Sequence, residues 1–558
     1  MKDKRLQVRI GGREDLPLLF EICKNQTREE FCLWGADFVY DYPPDLRQME
    51  ESFKSRRDTV FYAAEVSGRM VGFAEITGIE KEKKKGILAR IVLDKHQRGK
   101  GFGKAFVQEI VRRAVRELEL EEILLVVYSH NQRARKCYES CGFQYEKEVI
   151  RPGRPDALQM KINAKELKME LKHNFDEAVI RRGTDAKKYN PAFYPEDVLP
   201  MWIADTDFKC PQPVIDAIME RMAQGVYGYP HVSEEFKKAI ARWERVRFGW
   251  KIPASAVEFV PGVIPGVICA VRALSHPGDN IVINTPCYPP FKDLSDHNGR
   301  HLLRNELKVV NGQYSIDFED LEEKLSDVRS RLFILCNPQN PTGRVFTLEE
   351  LKRIGELCLK HNVFVLVDEI HCDLVYKGYR HIPFASICEE FAQNSITFVN
   401  ASKTFNTAGF RTAGFICLNP AVKAAVHEAV LDNKGIGENL GGTVATIAAY
   451  TKCDYYADQM MEYLEGNLDL VCRELEKTNG KVKLIRPEGT YLLWLDCRGL
   501  GMNQKELVDF FVNKVKVGFN SGIGFGPEGA GFMRMNIATQ RAVVEEALRR
   551  IIREVNAL

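Results

Sequence analysis

From His173 onward the chain alternates short apolar runs with amphipathic stretches, and this rhythm constrains the fold more than any other feature. Ile281–Asn284, Leu332–Cys336, Phe364–Val367 and Thr397–Asn400 read as buried strands separated by helical-period segments. Strands buried on both faces are continuously apolar, and strand–helix repeats of this kind build a mostly parallel sheet covered by helices. The first block has another rhythm. Thr59–Val66 and Met70–Thr77 read as strands joined by Ser67-Gly68-Arg69, a hairpin signal. Ile87–Leu93 is a further strand, Phe106–Leu118 has apolar residues at helical spacing, and Ile123–Tyr128 is a buried strand. Arg151–Leu171 is rich in Lys, Arg, Pro and Glu, and the domain boundary is expected near Ala164–Met169. The 558 residues thus divide into two α/β domains, 1–165 and 166–558.

Composition narrows the function classes. A net charge of +2 argues against a nucleic-acid or acidic-membrane partner. No run approaches the ~20 apolar residues that would cross a bilayer, so a cytoplasmic enzyme is expected. The 15 cysteines include no C-x-x-C pair. Cys137 and Cys141 lie four apart without partners at zinc spacing, so free thiols are expected and no metal site.

Five short motifs of the second block follow one another in an order that suits pyridoxal 5′-phosphate (PLP). That cofactor needs a lysine for its aldehyde, a carboxylate for its pyridine nitrogen, a donor for its ring hydroxyl, an aromatic on its ring and a phosphate cradle. Val260–Gly266 leaves a strand and opens a helix, so the amides of Val263 and Ile264 would face the phosphate. Tyr288, after the next strand, is the stacking candidate. In Asn337-Pro-Gln-Asn340-Pro-Thr-Gly-Arg344, Asn340 would bond the ring hydroxyl. Asp368 ends a buried strand and would pair with the ring N–H, with His371 nearby. Lys403 would hold the aldehyde, with Ser402 and Arg411 on the phosphate. Each piece alone is a weak signal, and the order of all five carries the reading. That order resembles fold-type I PLP enzymes: a large, mostly parallel sheet with a small α/β domain.

The flanks narrow the resemblance. Leu199–Phe208, Tyr227-Gly-Tyr229-Pro, Asp368–Asp373, Tyr463–Asn467, Pro487–Asp496 and Gly531–Ala538 resemble the MalY/PatB-type C–S lyases of the class I/II aminotransferase superfamily. The resemblance spans about residues 172–556. It implies that Arg534 grips the substrate carboxylate, assisted by backbone near Ala204. It implies that Tyr229 reaches the phosphate in a neighbouring subunit, hence a homodimer. It also implies amino-acid substrates, with Lys403 removing the α-proton and a thiolate leaving Cβ, so that thiol, pyruvate and ammonia form. Transamination and racemisation begin from the same proton removal and stay open. Arg411 follows the aminotransferase pattern, and Asn433–Gly442 departs from the lyase pattern near the expected substrate region.

In the first block, Gln97-Arg98-Gly99-Lys-Gly101-Phe-Gly103-Lys104 leaves a strand and opens a helix, an arrangement that suits a pyrophosphate. Asn131-x-x-Ala134-x-x-x-Tyr138-x-x-x-Gly142-Phe143 follows the next strand. Together they resemble the GNAT N-acetyltransferases over about residues 6–162. The resemblance implies acetyl-CoA as co-substrate, held by Arg98, Gly99, Gly101, Gly103, Lys104 and Asn131, with Tyr138 protonating the departing thiolate. Glu75 is a candidate base, although a solvated strand carboxylate is the plainer expectation. The whole chain then reads as a C–S β-lyase fused to an acetyltransferase. The alternative is an aminotransferase or racemase with a non-catalytic acetyl-CoA-sensing module. An N-acetylated amine cannot join an aldehyde, so the fusion would partition a shared amino acid.

Overall fold

The computed structural model describes residues 6–558 except 67–68, 100–101, 164–172, 311 and 434–436. It divides into two compact units, residues 1–172 and 173–558. The boundary expected near Ala164–Met169 and the expected phosphate-loop residue Gly101 fall outside the described residues.

The first unit is a seven-stranded sheet of β1 (Leu6–Ile10), β2 (Val60–Val66), β3 (Arg69–Glu80), β4 (Lys85–Leu93), β5 (Glu122–Tyr128), β6 (Gln144–Val149) and β7 (Ala157–Asn163), in the order β1-β2-β3-β4-β5-β7-β6. Helix Phe102–Glu117 packs through Phe106, Val107, Ile110, Val111 and Ala114, the i, i+4, i+8 stripe expected of an amphipathic helix. The neighbours β4 and β5 are parallel but pair only from Lys85↔Glu122 to Ile87↔Leu124. Beyond that point they splay, and Arg90 takes a left-handed φ of 51° inside β4. Strands β6 and β7 were not legible in the sequence. Glu-Lys-Glu in β6 faces solvent along a sheet edge, and β7 begins inside the stretch that reads as a polar linker.

The second unit is built on β8 (Val257–Val260), β9 (Asn280–Thr285), β10 (His301–Glu306), β11 (Ser330–Cys336), β12 (Phe364–Asp368), β13 (Ser395–Val399) and β14 (Ala413–Ile416). Their order is β10-β9-β11-β12-β13-β14-β8, and only β14 runs against the others. Period-two alternation sorts the side chains. Ile281, Ile283, Leu332 and Ile334 enter one core, while Val282, Phe333 and Leu335 enter the other. A second sheet joins β15 (Lys483–Ile485), β16 (Leu492–Asp496), β17 (Asn520–Ser521) and β18 (Phe532–Asn536) in the order β15-β16-β18-β17. Among the described residues no helix is long and apolar enough to cross a membrane.

Candidate active sites

In parallel sheets the chain turns at the carboxyl ends of the strands, and polar residues gather there. The second unit follows this rule. β8 leads into Gly262, whose φ of +118° a side chain would resist, and then into helix Val263–Leu274. Val263 and Ile264 occupy the first turn, where amides have no intrahelical partner. Gly266 lets that helix close on the sheet: a Cβ there would come within 2.9 Å of Phe398. Tyr288 follows β9 and caps helix Pro289–His297.

After β11 the turn Asn337–Arg344 is locked from within. Asn337 Oδ1 accepts from the Phe346 amide at 3.0 Å, and Gln339 Oε1 accepts from the Thr342 amide at 2.9 Å. Gln339 Nε2 donates to the Pro286 carbonyl at 2.6 Å, and Arg344 pairs with Glu350 and Glu488, each at 2.9 Å. These anchors leave Asn340 to point inward, where its Oδ1 accepts from Arg534 Nη1 at 2.9 Å.

Asp368 ends β12, and its carboxyl accepts from the Ile370 amide at 3.1 Å. Burial pushes its carboxyl up to about 7, against the opposing influence of that amide and of Lys403. Lys403 lies on the short helix Ser402–Phe405, and its Nζ donates to the Ala204 carbonyl at 2.6 Å. Burial lowers its amine to about 8, offset in part by Asp205. His371 is held well below its ordinary value by burial and by the nearby Lys403 and Arg534 charges, and its Nδ1 is buried without a partner. Ser402 is buried, and its amide donates to Asn400 Oδ1 at 2.8 Å. Arg411 is exposed in a left-handed turn, and Tyr229 stands fully exposed at 106% between helices Gln212–Ala223 and Glu234–Phe248.

Arg534, on β18, is buried and lowered to about 10 by burial. Its Nη2 donates to the Trp202 carbonyl at 3.0 Å and to Asn520 Oδ1 at 2.7 Å, while its Nε has no partner. Sequence reasoning missed four residues here. Asn520 and Trp202 orient Arg534. Tyr491 shares the Ala204 carbonyl with Lys403, its hydroxyl donating at 3.3 Å. Asp205 is held by Arg181 at 2.6 Å and turns a buried, unpartnered Oδ1 elsewhere. The motif Ile203-Ala204-Asp205-Thr206-Asp207 gave no sign of which carboxylate would lie near Lys403.

The residues fit PLP on these observations. A buried carboxyl raised to about 7 lies near a buried amine lowered to about 8, and His371 and Arg534 carry orphaned polar atoms.

In the first unit the splay of β4 from β5 opens a cavity of about 750 Å³. Arg98, Gly99, Gly103, Lys104, Asn131 and Tyr138 all line it. Asn131 also caps helix Gln132–Glu139 through its Oδ1. Tyr138 is pushed up by burial and by Cys137 and Cys141, which keeps its phenol protonated. Glu75 corrects the expectation of a solvated carboxylate. It is 0% exposed and ion-paired with Arg56 at 2.6 Å and with Arg90. Enclosure by two guanidinium groups suits a structural anchor and not a base.

The aminotransferase class I and II family matches residues 197–551, and the acetyltransferase (GNAT) family matches residues 26–143. Cystathionine beta-lyase PatB of Bacillus subtilis (strain 168) is 41% identical over 382 residues, covering 68% of this chain and 98% of PatB. Protein MalY of Escherichia coli (strain K12) is 30% identical over 390 residues, covering 69% of this chain and 99% of MalY. The crystal structure of cystalysin from Treponema denticola, which contains a pyridoxal 5′-phosphate cofactor, has a TM-score of 0.67 at 32% identity. It matches 69% of this chain and 99% of cystalysin.

Proposed function

The chain belongs to the aminotransferase class I and II family and carries a GNAT domain ahead of it, and from that premise we propose a bifunctional enzyme. One half is a PLP-dependent C–S β-lyase, and the other is an acetyl-CoA-dependent N-acetyltransferase. The observation that carries the first half is a lysine at about 8 beside a buried carboxyl at about 7, with the Asn340–Arg534 pair alongside. The relatives named as cystathionine beta-lyases support the choice of a sulfur leaving group.

When bound, PLP supplies an electron sink for the bond broken at the substrate α-carbon. The chain's own residues do the rest. The Val263 and Ile264 amides, Ser402 and Arg411 would hold the phosphate. Tyr288 and His371 would hold the ring, Asn340 its hydroxyl and Asp368 its protonated nitrogen. Arg534 grips the substrate carboxylate, with the backbone near Ala204 alongside, and Trp202 and Asn520 fix its fork. Lys403 Nζ receives the proton from the α-carbon, and the Asp205 charge stabilises the resulting ammonium. The Cβ–S bond then breaks, the sulfur leaves as a thiolate that takes up a proton, and water hydrolyses the released 2-aminoacrylate to pyruvate and ammonia. Arg534→Lys keeps the charge but loses the fork, so KM is expected to rise about 10- to 100-fold, the equivalent of ~1.5–3 kcal/mol for a charged hydrogen bond. Steady-state kinetics on cystathionine checks this, and an unchanged KM would remove Arg534 from carboxylate binding.

Tyr229 is proposed to reach a partner subunit's cofactor phosphate in a homodimer of a cytoplasmic enzyme. Its full exposure supports a role outside its own subunit. In the first unit, the first-turn amides of helix Phe102–Glu117 and the side chains of Arg98, Lys104 and Asn131 hold the pyrophosphate of acetyl-CoA. Tyr138 protonates the leaving thiolate, so Tyr138→Phe is expected to cut CoA release by roughly 100-fold while leaving CoA binding intact.

The deciding experiment incubates the PLP-loaded full chain with cystathionine and no 2-oxo acid. Pyruvate release supports the lyase. Amino transfer that requires 2-oxoglutarate, or an inverted α-carbon without pyruvate, would overturn it in favour of an aminotransferase or a racemase.

A further inference from the structure

The cavity of the first unit has a second group of lining residues apart from the phosphate loop. Trp34, Phe38 and Tyr128 give it aromatic surface. Phe38 is 45% exposed, so its ring is a platform rather than core. Trp34 is fixed by a bond from its Nε1 to Gln26 Oε1 at 2.8 Å. Two arginines flank Phe38, with the guanidinium carbon of Arg151 at 5.0 Å and that of Arg154 at 3.9 Å from the ring centre.

These arginines differ in one respect. Arg154 is neutralised by Asp37, with Nη1 and Oδ2 2.6 Å apart, and it also donates to the Tyr128 hydroxyl at 3.4 Å. Arg151 has no carboxylate partner among the described residues, and it is Arg151 that lines the cavity. Of the other charges of the cavity, Glu30 and Arg90 are engaged, while Lys104 and Arg133 lie beside the phosphate loop. Glu30 accepts from the Thr27 amide at 3.0 Å and lies 3.8 Å from Arg98. Arg90 is tied to Glu75. Lys104 begins helix Phe102–Glu117, and Arg133 lies 3.8 Å from a Cβ built on Gly99. The guanidinium that stands unpaired beside the aromatic surface is therefore Arg151, whereas Arg133 lies by the loop at Gly99. A planar fork of donors next to apolar rings recognises a carboxylate joined to an apolar group.

We propose that the acetyl acceptor is an α-amino acid with an apolar side chain, its carboxylate on Arg151 and its side chain against Trp34 and Phe38. This rests on the acetyltransferase reading of the unit. The neutral amine nitrogen attacks the thioester carbonyl, the C–N bond forms and the C–S bond breaks. The sulfur takes the Tyr138 phenolic proton, and the proton shed by the nitrogen returns to Tyr138 through water. The products are an N-acetyl amino acid and free CoA.

The test compares L-phenylalanine, L-serine and 2-phenylethylamine as acceptors for the full chain with acetyl-CoA, reading thiol release and the N-acetyl product by mass spectrometry. L-Phenylalanine is expected to exceed both others in kcat/KM by about tenfold or more. Arg151→Gln should lower kcat/KM for L-phenylalanine by about 10- to 100-fold, leave 2-phenylethylamine unchanged and leave the KM of acetyl-CoA unchanged. Arg151→Lys should recover part of the loss. Preference for 2-phenylethylamine, or an Arg151→Gln effect confined to the KM of acetyl-CoA, would overturn the acceptor assignment while the transferase reading stands. A chain that binds acetyl-CoA and acetylates none of the three, nor a panel of other amines, would overturn both.

Discussion

Lys403→Ala is expected to lower pyruvate release by at least about 10⁴-fold, because one nitrogen serves as both anchor and base. The chain's geometry also predicts a pH signature. Burial brings the Lys403 amine to about 8 from an ordinary 10.5. At pH 7 roughly one molecule in ten then presents the neutral amine that can add to an aldehyde, against fewer than about one in a thousand for an ordinary lysine. Deprotonation of Asp368, raised to about 7, acts in the same direction, since its anion attracts the pyridine N–H. The rate at which the cofactor-free chain captures PLP should therefore climb steeply from pH 6 and level off above about pH 8. Stopped-flow absorbance reads that rate. A flat profile, or a Lys403→Ala chain that still turns over cystathionine, would contradict the assignment. Unchanged CoA binding by Lys403→Ala would show that the variant retains its first unit.

Asp368→Asn should have opposite effects on activity and on stability. Without the carboxylate the ring nitrogen is no longer held protonated, and pyruvate release should fall by about 100- to 10,000-fold. The cofactor-free chain, by contrast, should gain stability at alkaline pH. Asp368 titrates near 7 when folded against an ordinary 3.8. A carboxyl raised on folding contributes its full stability below the unfolded value and loses it as pH rises through the folded value. A shift of three units corresponds to at most ~4 kcal/mol lost by about pH 8. Asparagine fits the same space without the charge. The melting temperature of the cofactor-free variant should exceed that of the parent by several degrees at pH 8 and differ little at pH 4. Equal melting at both pH values would mean that Asp368 is not strained by burial.

How much of this was legible beforehand follows from what local sequence encodes. Strands Asn280–Thr285, Ser330–Cys336, Phe364–Asp368 and Ser395–Val399 were readable because burial on both faces demands continuous apolar residues. Asn340 stood out because its neighbours Gln339 and Arg344 serve to lock its turn, Asp368 because it ends a continuous apolar strand, and Lys403 because it follows the next such strand, on a short helix. Strand Gln144–Val149 was not readable, because an exposed polar edge carries no burial pattern.

The charges were decided only in three dimensions. Glu75 reads as a solvated strand carboxylate and is instead enclosed by Arg56 and Arg90, which come from other elements. Asp205 and Lys403 are nearly 200 residues apart, as are Asn340 and Arg534. Arg151 and Arg154 look alike in sequence, yet Asp37 neutralises only Arg154. Sequence by itself determined the buried strands and the turns after them, because burial on both faces leaves a continuous apolar run along the chain, whereas the exposed edge strand Gln144–Val149 left none. Ionisation, pairing and substrate grip depend on distance through space and on burial, and only the packed tertiary structure sets those.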